Sequence, residues 1–174
     1  MPTSLRTRLH LELSAILDAG ITGVNAQAEI GPGVLDETVA WTQGTGSGQA
    51  DRVYYAERTL TAGSNETLDL AGVLLDVYGN TLTFAKVYAI AVKNVNTAAA
   101  KLEIGPNATN GFGVDGFWGA AAHRNVVNIS SGVLVLYSPA GVTVTAGTAD
   151  LLYAENKSGS NALTYRIAIL GTSA

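Results

Sequence analysis

The chain has 174 residues, of which 47% are hydrophobic and 14% charged, with no cysteine and a formal net charge of −4. High apolar content with small net charge excludes a disordered chain and supplies enough material for a full core. The missing cysteines exclude disulfides and thiolate metal sites, and ten scattered Lys and Arg do not form the clustered basic surface that broad nucleic-acid binding needs.

The charged fraction also lies well below the roughly 25% of an average soluble protein. A surface so poor in charge is expected to be partly covered in an assembly. A chain without cysteine suits synthesis in a reducing bacterial cytoplasm.

In chain order, the stretch up to Leu17 is broken by Arg6, Arg8, His10 and Glu12, so it does not read as a signal peptide. No run reaches the roughly 18 apolar residues of a membrane helix. Arg6 and Arg8 are the densest basic group and read as solvated strand residues. Leu9, Leu11 and Leu13 alternate with His10, Glu12 and Ser14, the period of a half-buried strand. Leu5, Leu9, Leu13, Ile16 and Leu17 also fit helical spacing, so both readings stay open. Asp18-Ala19-Gly20 reads as a turn. Residues 21–35 read as irregular around Gly31-Pro32-Gly33, and Asp36 to Thr42 as a short strand carrying Trp41. Residues 1–43 are therefore expected to form an N-terminal strand or arm with an irregular segment, and residues 44–174 a sandwich, in one globular domain overall.

Gly44-Thr45-Gly46-Ser47-Gly48 reads as a flexible loop. Strand signals follow at Arg52 to Leu60 and Thr67 to Leu70, separated by the turn Ala62-Gly63-Ser64-Asn65. Leu70 to Tyr78 could form one or two helical turns ended by Gly79-Asn80. Phe84 to Val95 is the best strand, apolar on both faces and hence expected at the centre of a sheet. Lys101 to Ile104, Val126 to Ile129, Val133 to Tyr137, Val142 to Thr145, Leu151 to Ala154 and Leu163 to Leu170 complete the set. Short strands joined by turn residues predict an all-β fold, an antiparallel β-sandwich of jelly-roll type with an irregular N-terminal arm.

Residues that could carry chemistry form no recognisable constellation. The glycine loop lacks the following helix and the Lys-Ser or Lys-Thr pair of a phosphate cradle. His10 and His123 stand alone, without metal-ligand spacing. Ser130, His123 and Asp115 could be grouped as a triad, but nothing resembles a nucleophile elbow. Asp115, Asp150 and Glu155 lack the context of paired glycosidase acids, and no calcium-loop run of acids occurs. Four N-x-S/T matches are the chance yield of a chain rich in Asn and Thr. Neither catalysis nor a cofactor is expected.

The aromatics are more informative. Trp41, Tyr54, Tyr55, Phe117 and Trp118 could line a sugar-binding face, but core or subunit-interface roles are favoured. Tyr54 and Tyr55 are adjacent and must point to opposite faces of a strand, so at least one packs inside.

The segment from Gly44 to Val53, with Arg58-Thr59-Leu60, resembles a motif of small proteins of tailed bacteriophages and prophages. The resemblance continues through Leu68-Asp69-Leu70-Ala71-Gly72, residues 82–87, residues 144–152 and residues 164–171, and does not reach the first 43 residues. It implies a structural component of the virion, at head or tail. Together with the low charge it suggests a capsid-decoration (cement) protein, binding the major capsid protein and copies of itself, typically as a homotrimer on the capsid surface. The expected interface residues are Leu5, Leu9, Leu11, Trp41, Tyr54, Tyr55 and Trp118. The alternative is a tail or fibre component that binds a glycan through Trp118 and nearby tyrosines.

Overall fold

Period-two patterning runs through most of the chain, and the computed structural model of the protein turns it into strands. The structure describes residues 5–12, 15–21, 24–30, 36–96, 100–114, 116–120, 122–127 and 132–174. Among them there is no α-helix. The chain divides into two compact units, Met1–Gln43 and Gly44–Ala174.

In the first unit β1 (Thr7–Glu12) runs antiparallel to β4 (Asp36–Gln43), with Thr7 opposite Trp41 and Glu12 opposite Asp36. Between them β2 (Ala15–Ile21) and β3 (Val24–Ile30) pair as a hairpin. The helical reading of the first residues is thereby overturned. Asp18-Ala19-Gly20 is not a turn; it lies inside β2, opposite Gln27, Ala26 and Asn25. Residues 24–30 are not irregular either. Val24, Ala26, Ala28 and Ile30 alternate with Asn25, Gln27 and Glu29. The strand period is complete, but alanine carries it weakly. The expected punctuation at Gly31-Pro32-Gly33 lies outside the described residues.

The second unit comprises β5 (Gln49–Ala50), β6 (Arg52–Leu60), β7 (Asn65–Asp69), β8 (Leu74–Leu75), β9 (Thr81–Leu82), β10 (Lys86–Asn94), β11 (Leu102–Pro106), β12 (Asn125–Val127), β13 (Val133–Thr143), β14 (Leu151–Asn156) and β15 (Leu163–Thr172). Eight of these make two four-stranded antiparallel sheets, ordered β13-β10-β15-β6 and β12-β11-β14-β7. With the short β5, β8 and β9 set aside, the first strand pairs with the eighth, the second with the seventh, the third with the sixth and the fourth with the fifth. Successive pairs fall alternately in one sheet and the other.

The inner faces share one core. Tyr54, Ile90, Val92, Tyr165, Ile167 and Ile169 come from the first sheet, and Leu68, Leu102, Ile104 and Leu152 from the second. Burying each such side chain contributes roughly 1.5–3 kcal/mol. Phe112 and Phe117 close the core edge to face, their ring centres 6.1 Å apart. The buried Asn156 amide donates to the carbonyls of Leu60, Thr61 and Asn161 and accepts from the Ser158 N–H. A buried amide survives only with such partners.

The central strand carries a β-bulge. Tyr88 is the extra residue between the pairs Val87–Gly171 and Ala89–Leu170. On the other side Val142 faces Val87 and Tyr137 faces Ala89, so residues 138–141 stand out of the ladder. The two strands expected at 133–137 and 142–145 are therefore one long strand with a kink. Pro139 has no N–H to offer a ladder. Gly141, at φ +73°, lets the Tyr88 ring approach to 2.8 Å of the point a Cβ would occupy.

Candidate functional site

Hydrogen bonds and burial account for most of the singled-out polar residues. Gly46 N–H donates to the Gln49 side-chain carbonyl at 2.8 Å, so the glycine loop closes on itself. That amide is not offered to a phosphate, and β6 follows instead of a helix. His123 is exposed and its Nδ1 lies 3.2 Å from the Ala120 carbonyl. Ser130 and Asp115, grouped with it above, lie outside the described residues. Asp150 is buried just before β14 and accepts the Gly147 N–H at 2.6 Å, which holds a turn. Glu155, near the other end of β14, pairs with Lys157 at 3.1 Å.

A polar cluster links the two sheets. Arg58 on β6 donates its Nε to Glu66 on β7 at 2.5 Å, and its Nη2 also pairs with that carboxylate. The hydroxyl of Tyr165 on β15 donates to the other Glu66 oxygen at 2.9 Å, and Arg58 Nη1 donates to the Tyr54 hydroxyl at 3.2 Å. Burial, and then the neighbouring Glu66 charge, push the Tyr165 phenol well above its ordinary value. A phenol held protonated and tied to a carboxylate is a cross-sheet fastener, not an acid or base at work.

The expected interface residues separate sharply. Tyr54 and Trp118 lie in the core at 3% and 6% exposure, so neither is offered to a partner or to a sugar ring. Strand alternation turns Tyr54 inward and leaves Tyr55 outward, 51% exposed. Trp41 is buried but not part of the sandwich core. Leu5 and Leu9 are half-buried and Leu11 is exposed. Register places Thr7 with Trp41, Leu9 with Val39 and Leu11 with Glu37 on one face of the β1–β4 ribbon. The other face carries Arg8, His10 and Glu12, with His10 Nδ1 hydrogen-bonded to Thr38 at 2.7 Å. Arg6 and Arg8 are exposed.

Two apolar surfaces escaped the sequence reading. The first is the outer face of the β13-β10-β15-β6 sheet. Directly opposed residues share a face, so Tyr55, Ala168, Ala91 and Val135 form one row across all four strands. Glu57, Arg166, Lys93 and Val133 form the next. A shallow cleft of about 210 Å³, walled almost wholly by apolar atoms, opens there between Tyr55 and Val133. The small Ala91 and Ala168 make the hollow, and strand alternation could have revealed it.

The second surface is a finger between β7 and β10. Where helical turns were expected, residues 70–73 turn and β8 and β9 pair as a hairpin. The Asp76 carboxylate accepts the backbone N–H of Tyr78 and of Asn80, and both its oxygens take the Asn80 side-chain amide. These bonds lower the Asp76 pKa, the Asn80 side chain foremost. The turn so fastened presents Val73, Leu75, Val77 and Tyr78 at 67%, 53%, 69% and 73% exposure. Asp76 followed by Gly79-Asn80 inside an apolar run was the available signal.

No protein-family model, no curated protein and no solved structure matches the chain.

Proposed function

We propose that the chain is a structural protein of a tailed-bacteriophage virion, a decoration or cement protein of the capsid surface that binds the major capsid protein and copies of itself as a homotrimer. The observation that carries this reading is the pair of outward apolar surfaces on a rigid sandwich in a chain with only 14% charged residues. Monomers rarely leave such patches bare. The resemblance of residues 44–171 to small phage proteins supports the same reading. So does the strand order, which suits the jelly roll that a long hairpin ribbon would give when rolled into two sheets. Jelly rolls recur in viral capsids, but also in lectins and cupins, so the order alone assigns no function.

Such a protein needs no catalytic step and no cofactor. It binds the expanded shell and not the disassembled subunits, and so stabilises the shell by mass action. It would be made in the host cytoplasm and reside on the virion. The Trp118 ring, on which the glycan alternative chiefly relied, is buried, which favours the capsid reading over it.

The test is co-sedimentation of the purified chain with expanded phage heads that lack it, beside tails from the same particles. Saturable binding to heads and a higher temperature of head disassembly are expected. Binding to tails alone, or to neither, refutes the reading.

A further inference from the structure

The finger and the cleft are both bare in the chain that carries them. Val77 and Tyr78 on the finger are 69% and 73% exposed, and Tyr55 and Val133 at the cleft are 51% and 62% exposed. The finger is a rigid apolar knob, since its turn is fastened through Asp76 and Asn80. The cleft is an apolar hollow floored by Ala91 and Ala168.

Their surroundings carry opposite charge. From Gly63 to Ala85 the chain has no Lys or Arg, and of its three acids Glu66 is answered by Arg58, which leaves Asp69 and Asp76 to set the acidic surround. The cleft is edged by the cations Lys93 and Arg166, and among the described residues only Arg166 has an ion-pair partner, Glu57 at 2.7 Å. An acidic setting repels an anionic bilayer or nucleic acid and favours a basic-rimmed apolar pocket.

We infer that the finger of one copy docks into the outer-sheet cleft of a second copy, Val77 and Tyr78 entering between Tyr55 and Val133 beside Lys93. The contact is heterologous: each copy offers a finger at one place and a cleft at another. Repetition of such a contact closes into a ring when the rotation permits, which is how a three-fold assembly arises. The inference deepens the self-association part of the proposed function and rests on that part alone.

Light scattering on a size-exclusion column tests it with the full chain and two double variants. One variant is Val77→Ser with Tyr78→Ser; the other is Tyr55→Ser with Val133→Ser. All four positions are exposed, so both variants should melt close to the wild-type temperature. The wild type is expected to form an oligomer. Each variant alone should run as a monomer of 17.9 kDa. Mixed in equal amounts they should form a dimer and nothing larger, because the pair retains one intact finger and one intact cleft. A monomeric wild type, a variant keeping the wild-type mass, or a mixture that stays monomeric overturns the contact. Head binding by the monomeric variants is read separately. Its loss or retention bears on the capsid reading, whereas the masses alone decide the contact between finger and cleft.

Discussion

Replacing Glu66 by alanine removes the acceptor at the centre of the cross-sheet cluster. Two donors lose their partner. The Arg58 side chain is 37% exposed, so water answers it readily, and its lost ion pair is discounted to about 1 kcal/mol. The Tyr165 side chain is fully buried, so its hydroxyl loses a charged acceptor with no water in exchange, which costs about 1–3 kcal/mol. The sum is about 2–4 kcal/mol, or roughly 4–16 °C in Tm for a domain of this size. Thermal and urea melts of Glu66→Ala, Tyr165→Phe and the double variant measure it. Tyr165→Phe should be costly with Glu66 present and nearly neutral without it, since the phenyl ring needs no acceptor. A cost below about 1 kcal/mol for Glu66→Ala, or an equal cost of Tyr165→Phe in both backgrounds, refutes the fastener.

The same tyrosine sets a limit at alkaline pH. Its folded-state pKa lies above the ordinary value of 10.0, so folding holds a proton that the unfolded chain releases above that value. The stability this contributes is complete below pH 10.0 and is lost as pH rises beyond it, at about 1.4 kcal/mol per pH unit. Tyr165→Phe should flatten that part of the Tm-against-pH curve; an unchanged slope counts against it. Gly171→Ala should destabilise by about 1–3 kcal/mol or more in a urea melt, because its Cβ would sit 2.1 Å from the Lys86 carbonyl oxygen. Asp76→Ala should leave the global melt unchanged and speed amide hydrogen exchange at Tyr78 and Asn80, whose N–H groups it accepts. Unchanged exchange there would mean the finger holds its shape without that cap.

Strands were legible wherever large apolar residues carried the alternation. Phe84 to Val95 and Leu163 to Leu170 gave themselves away, and both lie in the middle of the first sheet. Where alanine and glycine carried it, at Ala15 to Ile30, the same period was masked by turn-forming residues. The bulge at Tyr88 and residues 138–141 could not be read, because it depends on three strands meeting far apart in sequence. Which aromatics lie in the core and which at the surface was not legible for a related reason. Trp118 has the chemistry of an interface anchor, but burial depends on loops closing over it, which no local pattern reports. Among the described residues the most exposed large apolar side chains are Tyr78 and Val77, in a stretch whose apolar run suggested a helix.

The N-terminal unit offers a last separation of folding from attachment. Every residue of the sandwich core lies between Tyr54 and Ile169. Deleting residues 1–17 removes β1 and the start of β2, so β4 loses the partner that Thr7 to Glu12 supplied. With that partner gone, the start of β4 has little to hold it as a strand. The core side chains keep all their neighbours within the core. The truncated chain should therefore still melt cooperatively, while the face built from Leu9, Leu11, Val39 and Trp41 is lost. If that face is the arm that reaches a neighbouring subunit or the shell, occupancy on phage heads falls to background in the co-sedimentation assay. Unchanged occupancy by a folded truncated chain would move attachment to the sandwich, and the finger and outer sheet would then have to serve the shell as well as the second copy.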